Sequence, residues 1–216
     1  MLKLINCQLT EKGLKIEKAS AAVIDATIIQ TAGSKQRQAI EIDEEGQVSG
    51  QTTPSKDKDA RWIKKNGLYK PGYKQHTRTD AEGYIEKLYI TPANTHECNH
   101  LPPLLEGIAE GTTVYADKGY DSEENRQHLK EHQLLDGIMR KAHRNRPLTE
   151  VQTKRNRYLS KTCYVVEQSF GMLHHKFRYA RSAYFGLIKV SAQSNLKAMC
   201  LNLLKADNWL SAPAAA

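Results

Sequence analysis

The chain has 216 residues, 39% of them hydrophobic and 26% charged, with a formal net charge of +8 at pH 7. That length supports one sizeable core, and the positive surplus favours a polyanionic partner. With no apolar run near twenty residues and no charged start leading into an apolar stretch, the sequence argues against a membrane protein or a secreted precursor and points to the cytosol.

Residues 1–19 read as a helical segment interrupted at Gly13, and 20–206 as one domain. The first strong strand signal begins at Ala22, where Val23, Ile24, Thr27, Ile28 and Ile29 supply β-branched side chains around Asp25. From Thr31 to Lys70 the apolar periodicity disappears, and 31–70 is expected to be a long, mobile polar insertion. Tyr73 to Arg78 and Tyr84 to Thr91 form two strands joined across Asp80, Ala81, Glu82 and Gly83. A helix is expected over Leu104 to Glu110, then a strand over Thr112 to Ala116 with Asp117 at its carboxyl end. Asp121 and Glu124 resemble a capping box for a helix over Ser122 to Gln133. Ile138 and Met139 make a last short strand. Helices over Leu159 to Phe177 and Leu187 to Leu204 close the domain, and 207–216 is expected to be a disordered tail. The order is that of a mixed α/β fold.

Cys7, Cys98, Cys163 and Cys200 form no CxxC pair, so reduced thiols are expected rather than a zinc ribbon or disulfide framework. His96, Glu97, Cys98, Asn99 and His100 match the HExxH pattern of zinc proteases. That pattern works only when both His project from one intact helix, and Pro102 and Pro103 clash with the carbonyls at Cys98 and Asn99, so a protease is rejected.

Charge is concentrated between Arg140 and Arg181. Arg140, Lys141, Arg144, Arg146, Lys154, Arg155, Arg157, Lys161, Lys176, Arg178 and Arg181 face only Glu150 and Glu167, a surplus of nine. Such a run suits phosphate contact, and Tyr158, Tyr164, Phe177 and Tyr179 interleave as stacking or core groups. Asp25, Asp117 and Glu167 each sit where a regular element could hold them against one site. Carboxylates are the hard ligands that divalent ions prefer, and a pair of ions about 4 Å apart can activate water and steady a leaving phosphodiester oxygen. On the penultimate helix Cys163, Glu167, Phe170, Gly171 and His174 share a face, so Glu167 is expected to point with the apolar stripe.

The segments VIDATII, TVYADKGYDS, NRYLSKTCYVVEQSFGMLHHKFRYAR and FGLIKVSAQSNLKAMCLNLL resemble the DDE transposases of bacterial insertion sequences, specifically the insertion-sequence-five group, from about Leu14 to Leu204. The resemblance implies a ribonuclease H-like mixed sheet, three antiparallel strands then parallel ones, flanked by helices. It implies that Asp25, Asp117 and Glu167 are catalytic and hold two Mg2+, with Mn2+ able to substitute. It further implies cleavage by water at inverted-repeat ends, then attack of the freed 3′ hydroxyl on target DNA. Double-stranded DNA, a homodimer assembled on it and nucleoid association in a bacterial cytoplasm complete the expectation. The basic residues above, with His174, are the expected DNA contacts.

Two departures from the family pattern stand out. The Arg usual four residues before the catalytic Glu is Cys163, and the Lys usual seven after it is His174, with Lys176 nearby. Family members also carry roughly a hundred further residues before strand one, a size typical of a separate small domain, and here Met1 lies only a short helix before Asp25. The alternative is therefore a truncated or decayed transposase that binds DNA without catalysis, either a remnant or an inhibitor that competes with intact copies.

Overall fold

The structure, a computed structural model, describes residues 1–15, 20–33, 38–42, 48–52, 57–65, 67–144 and 146–211. Its centre is β1 (Ala21–Gln30), whose β-branched residues suit a strand buried on both faces. On one side β1 runs antiparallel to a long strand, β5 (Leu68–Asp80), with Asp25 opposite Thr77. On the other it runs parallel to β7 (Thr113–Ala116), with Ile24 opposite Ala116. The sheet is completed by β6 (Ile85–Pro92) antiparallel to β5, and by β8 (Leu135–Ile138) parallel to β7. This is the ribonuclease H-like arrangement, three antiparallel strands followed by parallel ones.

Alternation along β1 sorts the core into two layers. Val23 packs with Val166, Phe170 and Leu173 of α4 (Glu150–His175), with Ala198, Met199 and Leu201 of α5 (Leu187–Leu210), and with Leu2 of α1 (Leu2–Glu11). Ile24 packs on the opposite face with Leu101, Leu104 and Leu105 of α2 (Leu101–Leu105) and Leu129 of α3 (Glu123–Glu131). Arg78 pins β5 to this second layer, donating from Nη1 to the Leu104 carbonyl at 2.6 Å and pairing through Nε with Glu86 at 3.1 Å.

Several elements differ from expectation. Within 31–70 the described residues include β2 (Gln38–Ile42) paired with β3 (Val48–Thr52), and β4 (Arg61–Lys65), which pairs with residues 68–72 of β5. Cross-strand pairing supplies the order that weak apolar periodicity could not signal. The helix expected at Leu104 to Glu110 begins and ends earlier as α2, because Pro102 and Pro103 fit a first helical turn that needs no N–H donor. Asp121 does not cap α3. Ser122 accepts from the Asn125 N–H at 3.1 Å, while Asp121 pairs with Arg126 at 2.7 Å. Nine residues earlier than expected, α4 starts with a capping box in which Thr149 accepts from the Gln152 N–H and Gln152 from the Thr149 N–H. Similarly α5 runs on to Leu210, so 207–210 are helical, whereas the rest of the expected tail, 212–216, and residues 16–19 lie outside the described residues.

Candidate active site

Asp25 sits near the middle of β1, Asp117 just past the carboxyl end of β7 and Glu167 on α4, near enough for the charges of Asp117 and Glu167 to bear on Asp25. Asp25 follows Val23 on the α4 face of β1, and the next residue on that face, Thr27, lies 3.3 Å by its Oγ1 from Nε2 of His174 on α4. Tyr115 of β7 also packs against the α4 layer, so Asp117, two residues on, emerges on the same side. Asp117 then caps a short 3-10 turn, its carboxylate accepting from the Lys118 N–H at 2.6 Å.

The electrostatics of Asp25 record this convergence. Its carboxyl is pushed up to about 7, first by burial and then, against the opposing Ala26 N–H, by the negative charges of Glu97, Asp117 and Glu167. Cys163 registers the same field: burial first, then Asp25, Asp117 and Glu167, push its thiol up to about 12. It is therefore a neutral thiol at physiological pH and a poor ligand. Glu167 itself is exposed, not turned inward with the apolar stripe. The helix face changes character along its length, with Cys163, Val166 and Phe170 against the core and Glu167 at the open margin.

Glu97 is the residue that sequence reasoning assigned elsewhere. It lies in the 3-10 turn Glu97–His100, with Oε1 3.0 Å from Nζ of Lys74 on β5. Its Oε2 would lie 3.2 Å from a Cβ on Gly119, so it presses against the turn that Asp117 caps. The signal available was an acid five residues past the end of β6, masked by its place in HExxH. The histidines of that motif do not act together: His96 accepts from the Cys98 N–H at 3.2 Å, while His100 stacks on His76 with ring centroids 4.5 Å apart. The buried hydroxyl of Tyr120, just beyond Gly119, has no hydrogen-bond partner among the described residues, and after burial its strongest influences are the charges of Asp25 and Glu97.

Among the described residues, no three His, Cys, Asp or Glu side chains are drawn close enough to ligate one ion. The donor set nevertheless suits a hard divalent cation. It is all carboxylate oxygen, and its mutual repulsion, visible in Asp25, is what a cation relieves.

The twelve expected DNA contacts divide by environment. Lys141, Arg144, Arg146, Lys154, Arg157, Lys161, Lys176 and Arg178 are exposed. Arg155, half-buried, donates to the carbonyls of Ile138 and Asp136, and Arg181, although exposed, donates to those of Thr31, Ala32 and Gly33, so both tie elements of the domain together. Arg140 lies 3.8 Å from Asp121, and His174 faces Thr27. Of the interleaved aromatics, Tyr158 and Tyr164 are exposed on α4, whereas Tyr179 is buried and Phe177 packs against the core.

Comparison with known proteins agrees with this architecture. Over all 216 residues the chain is 88% identical to the transposase for insertion sequence element IS1106 of Neisseria meningitidis serogroup B, spanning 75% of that protein. Over 129 residues, 53% of the chain and 56% of the relative, it is 30% identical to a proposed transposase of insertion sequence element IS402 from Burkholderia cepacia. No solved structure gives a significant match. Residues 17–203 match the transposase DDE domain, and the chain belongs to that family.

Proposed function

We propose that the chain is the catalytic part of an insertion-sequence transposase that cuts DNA at the element's ends and joins the freed 3′ hydroxyl to target DNA. The observation carrying this reading is the match of residues 17–203 to the transposase DDE domain, and the charges of Asp117, Glu167 and Glu97 that bear on the partly buried Asp25 support it. Asp25, Asp117 and Glu167 would hold two Mg2+, or Mn2+ in their place. When bound, the ions lower the pKa of an attacking water and stabilise charge on the leaving oxygen.

The protein's own contribution is to hold the strand. Arg157, Lys161 and Tyr164 recur at helical spacing on the exposed side of α4, leading toward Glu167. From Lys154 to Glu167 this track covers about 20 Å, enough to follow several phosphates. Two copies, each bringing one end of the element, would assemble on DNA.

One observation favours a second reading, DNA binding without cleavage: the neutral, buried Cys163 stands where the family pattern has an Arg. Nicking of DNA that carries the element's ends, with Mg2+ or Mn2+, separates the two. Cleavage by the native chain that disappears in Asp117→Asn supports the enzyme. Cleavage only in Cys163→Arg identifies a site disabled by one side chain. If none of the three cuts while all bind DNA, the binding reading replaces the catalytic one.

A further inference from the structure

The hairpin of β4 and the start of β5 continues the catalytic sheet beyond its helical cover. Counting back along β5 from Thr77, which lies opposite Asp25, the residues on that face are Gln75, Tyr73, Pro71 and Tyr69. Tyr73 is fully buried and hydrogen-bonded to Asp57 and to the Gly186 N–H at the start of α5. Past it the cover ends. Trp62 lies opposite Pro71 and Lys64 opposite Tyr69, and Lys64 Nζ sits 5.5 Å from the centre of the Tyr69 ring. Tyr69 is 61% exposed and Trp62 37%.

Charge on this hairpin is sorted by direction. Both acids of 57–72 turn into the domain: Asp57 is buried against Thr31 and Tyr73, and Asp59 accepts from the Leu187 N–H at 2.9 Å. The cations Lys58, Arg61 and Lys64 are exposed. Beside the hairpin, Tyr69, Lys70 and Arg181 border an open cavity of about 410 Å³.

We propose that this ribbon is a DNA-binding surface, with Tyr69 and Trp62 stacking on unpaired bases and Lys64, on the same face, holding the adjoining phosphate. Exposed aromatics set among cations on an extended ribbon match a single strand, because every base offers a stacking face and every link a negative charge. The eight residue steps from Thr77 to Tyr69 span about 26 Å of extended strand, or about eight nucleotides at the spacing of duplex DNA. The ribbon would therefore hold an unpaired strand about eight nucleotides from the proposed site. This rests on the transposase reading of the site.

The test is fluorescence anisotropy, at fixed salt and without divalent metal, of the full chain binding a forked duplex and its fully paired counterpart. The native chain should prefer the fork. Tyr69→Ala should weaken fork binding about fivefold or more, a stacked base's worth, with little effect on paired DNA. Tyr69→Phe should restore the preference, and Lys64→Glu should weaken both probes. Tyr69 and Lys64 are exposed, so melting temperatures should stay at the native value and exclude misfolding. If native and Tyr69→Ala chains bind the fork equally while Arg157→Ala weakens binding, the ribbon inference fails and the transposase reading stands. If the native chain binds neither probe, both fail. If Tyr69→Ala alters self-association in sedimentation without altering DNA affinity, the face is a contact between copies and the inference is overturned.

Discussion

Replacing Asp25 by Asn should stabilise the metal-free protein at neutral pH, even though it removes a residue of the proposed active site. An Asp carboxyl ordinarily titrates near 3.8, and burial together with Glu97, Asp117 and Glu167 lifts that of Asp25 to about 7. Between these values the folded chain holds a proton that the unfolded chain has released, so stability falls as pH rises through the interval. Above about pH 7 the carboxylate is ionised in both states, and the folded state bears the full penalty. At about 1.4 kcal/mol per pH unit the rise corresponds to about 4 kcal/mol. Asp25 as a residue is only partly buried, and screening brings the expected figure closer to about 2 kcal/mol. Asn keeps the shape and removes the charge. Urea denaturation from pH 4 to 8 in chelator should therefore show the variant's advantage over the native chain growing with pH and levelling off above about 7. Adding Mg2+ should then stabilise the native chain and leave the variant nearly unchanged. An advantage that is flat with pH, or a variant less stable at pH 8, would refute the argument.

Other consequences follow from single residues. In Glu97→Gln one of the charges bearing on Asp25 is gone, so the Asp25 carboxyl should titrate below about 7 by carbon-detected NMR; an unchanged midpoint would remove Glu97 from the site. With its thiol raised to about 12, Cys163 should resist a disulfide reagent at pH 8 while the exposed Cys7 and Cys200 react, becoming available only in denaturant. A Cβ at Gly72 would run into the Ile29 backbone carbonyl, so Gly72→Ala should cost about 3 kcal/mol or more in denaturant stability. A loss under about 1 kcal/mol would mean that β1 and β5 yield there more easily than their register implies.

Much of the fold is legible in β-branched runs and turn chemistry. The cluster from Val23 to Ile29 marks β1, and Asp80 with Gly83 marks the β5–β6 turn, where Asp80 accepts from the N–H groups of Glu82 and Tyr84 and Gly83 takes a positive φ. The start of α4 was also written in the sequence, as Thr149 and Gln152 at capping-box spacing, but the polar, basic stretch that follows hides helical periodicity. By contrast, β2 to β4 are held by pairing rather than by apolar alternation, so local sequence says little about them. The three acids stand out by their local settings and by resemblance, and in the structure Asp117 and Glu167 bear on Asp25. The part played by Glu97 was not, because it depends on Lys74, more than twenty residues earlier, and on a turn just beyond Asp117. Arg155 and Arg181 look like their neighbours in sequence, and only tertiary contact shows that their guanidinium groups donate to backbone carbonyls of other elements.

The claim that Asp25, Asp117 and Glu167 form one metal site is tested most directly by Mn2+ binding, followed by electron paramagnetic resonance, because this readout does not depend on whether Cys163 permits cleavage. The native chain should take up Mn2+ competitively with Mg2+, with affinity falling as pH drops below about 7 and Asp25 protonates. Asp117→Asn and Glu167→Gln should each lose most of that binding while keeping the native melting temperature. Equal Mn2+ binding by the native chain and both variants would contradict the account.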